Sequence, residues 1–100
     1  MTEKIIKLSD EEVDQALLKI DGWRREEGFL KKDFTFSTYK EINKFLPYLT
    51  KTIVDRDHHP DFEFDSGTRT VSIRVKTHSK SGITKLDLNL AVALNMWNQL

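Results

Sequence analysis

The chain contains no cysteine. That absence excludes a disulfide framework, a thiolate nucleophile and any zinc or iron–sulfur site built on cysteine ligands, and it leaves the redox compartment unreadable from thiols. Net charge is missing too, because sixteen basic and sixteen acidic side chains cancel and neither sign gathers in one block. Nucleic-acid binding by bulk electrostatics is thereby disfavoured, although a local patch survives such cancellation. No apolar run approaches the roughly 18 residues of a membrane span, and the opening MTEKIIKLSDEE lacks an apolar core of signal-peptide length. The expectation is a cytoplasmic protein without membrane association. Linkers rich in Pro, Gly and Ser, internal repeats and low-complexity tracts are lacking, as are a Gly-rich phosphate loop, a nucleophile elbow and a paired-carboxylate motif. What remains is 100 residues with 38% hydrophobic content. That suits a single domain over 1–100, small enough that oligomerisation would help it bury apolar surface.

Periodicity then divides the chain. Ser9-Asp10-Glu11-Glu12 is a capping box, and Val13, Leu17 and Ile20 follow at helical spacing, which predicts a first helix ending near Asp21-Gly22-Trp23. WRREE and FLKKDFTF flank Gly28, and Phe34 and Phe36 alternate with polar residues, so a hairpin is expected there. Thr38 and Glu41 cap a second helix carrying Ile42, Phe45, Leu46, Leu49 and Ile53; Pro47 within it predicts a kink or break. Pro60 pushes His59 out of helical geometry. Phe62 and Phe64, a DSGT turn, and Val71, Ile73 and Val75 then read as a second hairpin. Extending that alternation puts His78 with the polar set. A last helix is capped by Thr84, with Asp87 at its third position and a stripe of Leu86, Leu90, Leu94 and Trp97 beside Ala93. The order α-β-β-α-β-β-α implies an α+β fold: a four-stranded antiparallel sheet with helices packed on one face.

The three histidines are the chemical question. His58 and His59 stand in DRDHHPDF, and His78 precedes the last helix. An imidazole that titrates near neutrality suits reactions whose difficulty is moving protons. Each also has a plainer explanation: His58 and His59 can end a helix where cationic imidazole favours the dipole, and Asp87 can serve only as a helix cap. Trp23 is more often core than ligand platform, and Lys76 more often a solvated strand residue. Neighbouring histidines on an extended segment point apart, which weakens a zinc reading, and no metal is expected.

The order and spacing of LSDEEVDQAL, the GW at Gly22 and Trp23, FTF, DHHP and TH…GIT…DLNLA resemble pterin-4a-carbinolamine dehydratase, also called 4a-hydroxytetrahydrobiopterin dehydratase. The resemblance covers nearly the whole chain. It implies a hydro-lyase that removes water from a 4a-hydroxytetrahydropterin, recycling the pterin of aromatic amino acid hydroxylases, with no cofactor because the pterin is the substrate. His58, His59 and His78 match the family's active-site histidines, with His58 and His78 expected as the acid/base pair and His59 as mainly holding the pterin. Asp57, Pro60, Lys76, Thr77, Asp87 and Trp23 match positions around the pterin. The family further implies a homo-oligomer, dimer or tetramer, without direct nucleic-acid binding.

Four departures, among them Pro47 and the lack of the usual tyrosine in FEFDSGT, and two competing readings accompany the match. Val54 occupies a position that is acidic in many members, with Asp55 beside it. The interval from His59 to His78 exceeds the family's by about two residues, which a longer hairpin tip at Asp65–Thr68 absorbs because turns tolerate insertion. One competing reading is a binding module of the transcription-coactivator type using helix surfaces; the other is activity on a different pterin.

Overall fold

The computed structural model describes residues 4–99. Helix α1 spans Asp10–Leu17, and its capping box is complete: Ser9 Oγ accepts from the Glu12 amide while Glu12 accepts from the Ser9 amide. The helix stops at Leu17, so Ile20 reaches the core from the turn that follows. Strands β1 (Arg24–Glu26) and β2 (Phe29–Thr35) form the first hairpin. Glu27 and Gly28 both have positive φ, the geometry that matches a two-residue hairpin turn to strand twist.

Helix α2 runs from Tyr39 to Arg56 through Pro47, so the break, one of the two outcomes expected at this residue, does not occur. Pro47 lies on the exposed face. The carbonyl one turn before it, on exposed Asn43, is therefore open to water, and the buried face through Ile42, Phe45 and Leu49 keeps the axis against the sheet. Thr50 Oγ1 donates to the Leu46 and Pro47 carbonyls, supplying side-chain hydrogen bonds at this point.

Strands β3 (Asp61–Asp65) and β4 (Thr70–Val75) complete an antiparallel sheet of order β1-β2-β4-β3. The α2 crossover therefore delivers β3 to an edge and the chain returns to pair β4 with β2. Leu30, Phe34, Val71, Ile73 and Val75 face the helices, and Phe45 sits among Phe34, Phe36 and Trp97 at centroid distances of 4.7, 5.1 and 5.6 Å. Among the described residues the opposite face of the sheet carries no helix, and it is mostly polar, with Lys31, Asp33, Ser72, Arg74 and Glu63 on it.

The strand ends at Val75, so His78 does not continue its alternation but opens a 3-10 turn, His78–Lys80. Helix α3 (Lys85–Asn95) follows with a complete capping box from Thr84 and Asp87. Its buried face differs from the expected stripe: Asp87, Leu90, Ala91 and Leu94 are inside, whereas Leu86 is exposed and Trp97 lies in a final turn. The 87-90-91-94 spacing places a carboxylate on an otherwise apolar helix face.

Candidate active site

The two loops that carry histidine meet through Asp87. Helix α2 terminates at Asp57, whose left-handed conformation (φ 49°) turns the chain sharply before Pro60 commits it to an extended path. This turn drives His58 inward. Its Nε2 lies 2.5 Å from Asp87 Oδ1, with the His58 side chain 13% exposed and that of Asp87 0%.

A buried carboxylate needs partners for both oxygens. Asp87 Oδ2 accepts from the Thr84 amide at 2.8 Å and from the Thr77 hydroxyl at 2.9 Å. Because the single Thr77 hydroxyl proton points at Asp87, the 2.7 Å contact between the two threonine hydroxyls is donated by Thr84. Thr84 Oγ1 in turn accepts from the Leu86 amide. The result is a directed series, from helix cap through Thr77 to the carboxylate that holds His58. A carboxylate accepting from Nε2 leaves Nδ1 as the lone-pair nitrogen of a neutral imidazole.

The other sequence-derived candidates divide around this cluster. Thr77 is buried within it, and His78, directly after Thr77, is exposed. His59 projects outward, its Nε2 3.6 Å from Asp57 Oδ1, both side chains largely in solvent. Pro60 is buried and Lys76 half-buried, its ammonium 4.7 Å from the centre of the Phe29 ring. Trp23 is not brought to the histidines. It packs edge-on against Phe34, and its indole N–H donates to Asn95 Oδ1 at 2.9 Å. Asn95 lies at the far end of α3 from Asp87, about 12 Å along the helix axis. Lys32 shares that anchor, donating to Asn95 Oδ1 and the Asp21 carbonyl; burial pushes its amine below the usual lysine value, with Asp21 opposing. Among the described residues no three His, Asp or Glu side chains stand together as a metal-binding group.

Thr84 is the residue that sequence reasoning left as a cap alone. The signal was the coincidence of Asp87 with the buried 3.6-residue period of α3. A carboxylate on that face requires buried donors, and its own N-cap is the nearest.

Sequence comparison places this geometry in a family. The model for pterin 4 alpha carbinolamine dehydratase matches residues 6–97. The chain belongs to the pterin-4-alpha-carbinolamine dehydratase family. A relative from Mycobacterium avium (strain 104), provisionally named for that activity, is 35% identical over 88% of this chain and 92% of its own. A similarly named protein of Metallosphaera sedula is 37% identical over 89% of this chain and 91% of its own. The fold matches the crystal structure of a transcriptional coactivator/pterin dehydratase from Brucella melitensis, with a TM-score of 0.83 and 26% identity over 91% of this chain and 97% of that one. Family membership and fold therefore agree, and the histidine loops, β4 and α3 all lie within the matched span. No helix among the described residues is long and apolar enough to cross a membrane.

Proposed function

We propose that this pterin-4-alpha-carbinolamine dehydratase family member removes water from a 4a-hydroxytetrahydropterin by proton transfer through His58 and His78. In that reaction the C4a–O bond breaks, the hydroxyl leaves as water after gaining a proton, and the N5 proton is lost as C4a=N5 forms. The product is the quinonoid dihydropterin, and no net oxidation occurs. The observation that carries the reading is the buried Asp87 carboxylate seated on His58 Nε2. It leaves Nδ1 as the basic atom and stabilises the imidazolium that forms when that atom takes a proton. His78, exposed on the neighbouring loop, is assigned the proton donation to the leaving hydroxyl, and exposed His59 the holding of the pterin. Thr77 and Asp87 act through His58, Pro60 shapes the loop, and Asp57 accompanies His59. Recycling of a hydroxylase cofactor in the cytoplasm is the corresponding cellular role.

The test follows ultraviolet absorbance as freshly generated 4a-hydroxytetrahydropterin dehydrates. Acceleration by wild type that is lost in His58→Ala and His78→Ala, and weakened mainly through KM in His59→Ala, is expected. No acceleration by well-folded wild type would sink the reading. A second role, as a binding module of the coactivator type named for the Brucella melitensis neighbour, is favoured by Leu86, Val92 and Met96, which α3 and its C-cap expose. That role leaves the histidine site intact, so both can coexist.

A further inference from the structure

The helix-free face of the sheet is mostly polar, but its charges are sorted. The strand register aligns Arg24 with Lys31, Lys31 with Arg74, and Arg74 with Asp61 in one row across all four strands. Lys76 lies one same-face position beyond Arg74, toward Thr77 and His78. Two same-face positions from Arg74 in the other direction the sheet carries Asp65 and Thr70, and between them Asp33, Ser72 and Glu63 align. The positive end is therefore the histidine end. A cleft of about 630 Å³ runs along this face, lined by Arg24, Lys31 and Arg74 and reaching Pro60, the residue after His59; Asp61, at the end of the basic row, also lines it, as do Asp33 and Glu63 on the acidic side.

The cations are positioned rather than loosely solvated. The Arg74 guanidinium and the Lys76 ammonium lie over the same Phe29 ring, 4.9 and 4.7 Å from its centre. Carboxylates engage every one of these cations except Lys76: Glu26 lies 2.8 Å from Arg24 and 3.5 Å from Lys31, Glu27 lies 3.8 Å from Lys31, and Asp61 lies 3.3 Å from Arg74. Among the described residues Lys76 has no carboxylate at ion-pair distance. Asp61 offsets only one of the two positive charges beside this ring, and a forked guanidinium beside a point-charge ammonium suits phosphate.

We propose that Arg74, Lys76 and Lys31 form an anion subsite for the side chain of the pterin, so that the preferred substrate is a carbinolamine bearing a phosphomonoester on its C6 substituent. This rests on the dehydratase reading above. Lys76 and His78 are two residues apart, a span of roughly 7 Å along extended chain, the reach of a short phosphorylated side chain from the pterin ring. A phosphomonoester near neutral pH carries close to two negative charges, enough to bridge both cations beside Phe29.

Two measurements separate this idea from its foundation. Fluorescence titration of an oxidised pterin with an uncharged C6 side chain, its phosphomonoester and its carboxylate analogue reads the subsite without any turnover. The phosphomonoester is expected to bind at least about tenfold more tightly than the uncharged compound, with the advantage falling as salt rises. In Arg74→Glu that ratio is expected to collapse to about one or below. Equal binding of all three compounds by wild type, or a preference unchanged in the folded Arg74→Glu protein, overturns the subsite; preference for the carboxylate over the phosphomonoester overturns the assignment to phosphate. The dehydration assay with the uncharged carbinolamine answers the separate question. Acceleration there together with equal binding would leave the dehydratase standing and remove the subsite.

Discussion

At the scale of single residues, Asp87 organises the site because it is a charge with no access to water. Its value lies in the donors that surround it: Thr77, the Thr84 amide and His58. Replacing Asp87 by Asn leaves one acceptor oxygen for the three donors that the carboxylate serves and removes the counter-charge of His58. The dehydration rate is expected to fall on the order of 100-fold, within the range a general acid/base contributes, while the protein stays folded by circular dichroism. Thr77→Val keeps the shape and removes one donor to a buried oxygen. That substitution is expected to lower stability by about 1–3 kcal/mol in urea unfolding and to reduce activity less than Asp87→Asn does.

Elements show where local preference yields to packing. Pro47 is a poor helix residue, disfavoured by about 3 kcal/mol relative to alanine in a helix interior, yet α2 continues through it because the freed carbonyl faces water and the opposite face is buried. Pro47→Ala is therefore expected to stabilise the fold by about 1–3 kcal/mol, read as a higher urea midpoint at unchanged m-value. A pH test belongs to the contact between α1 and β1. Arg25 donates to both Asp14 carboxylate oxygens, and that hydrogen bonding holds the carboxyl below its ordinary value of 3.8. A lowered folded-state value means the stabilisation is present in full above 3.8 and is lost as pH falls through the lower folded value. The melting-temperature difference between wild type and Asp14→Asn seen at pH 7 is expected to narrow as pH is lowered below 3.8.

For the whole molecule, Phe45 joins the layers, touching β2 through Phe34, the following segment through Phe36, and the C-terminal turn through Trp97. Phe45→Ala is expected to cost about 3–5 kcal/mol, a large share of the roughly 5–15 kcal/mol available to a domain of this size. Calorimetry would then show a much lower melting temperature. The exposed Phe62 and Phe64 on edge strand β3 add to the apolar surface of α3 and make self-association the expected state. Sedimentation equilibrium giving a monomer throughout the micromolar range would contradict that expectation.

Much of this was legible in the chain itself. Both complete capping boxes, the hairpin turn at Gly28, the alternation through Val71, Ile73 and Val75, and the exit of His59 before Pro60 are local effects, and local spacing reveals them. The family resemblance likewise rests on motifs whose order survives without coordinates. The return of β4 to the centre of the sheet, the passage of α2 through Pro47, the Asn95 anchor for Trp23 and the joining of His58 to Asp87 had to await the tertiary structure. Each depends on groups 29 or more positions apart in sequence, or on which face of an element is wet, as with His58 and Asp87 and Trp23 and Asn95. The residue pattern determined which elements form and which side chains have the right chemistry. Packing decided which of those side chains meet, because burying the apolar faces of α2 and α3 against one sheet leaves the Asp87 carboxylate enclosed, with His58 as its partner on the α2–β3 loop.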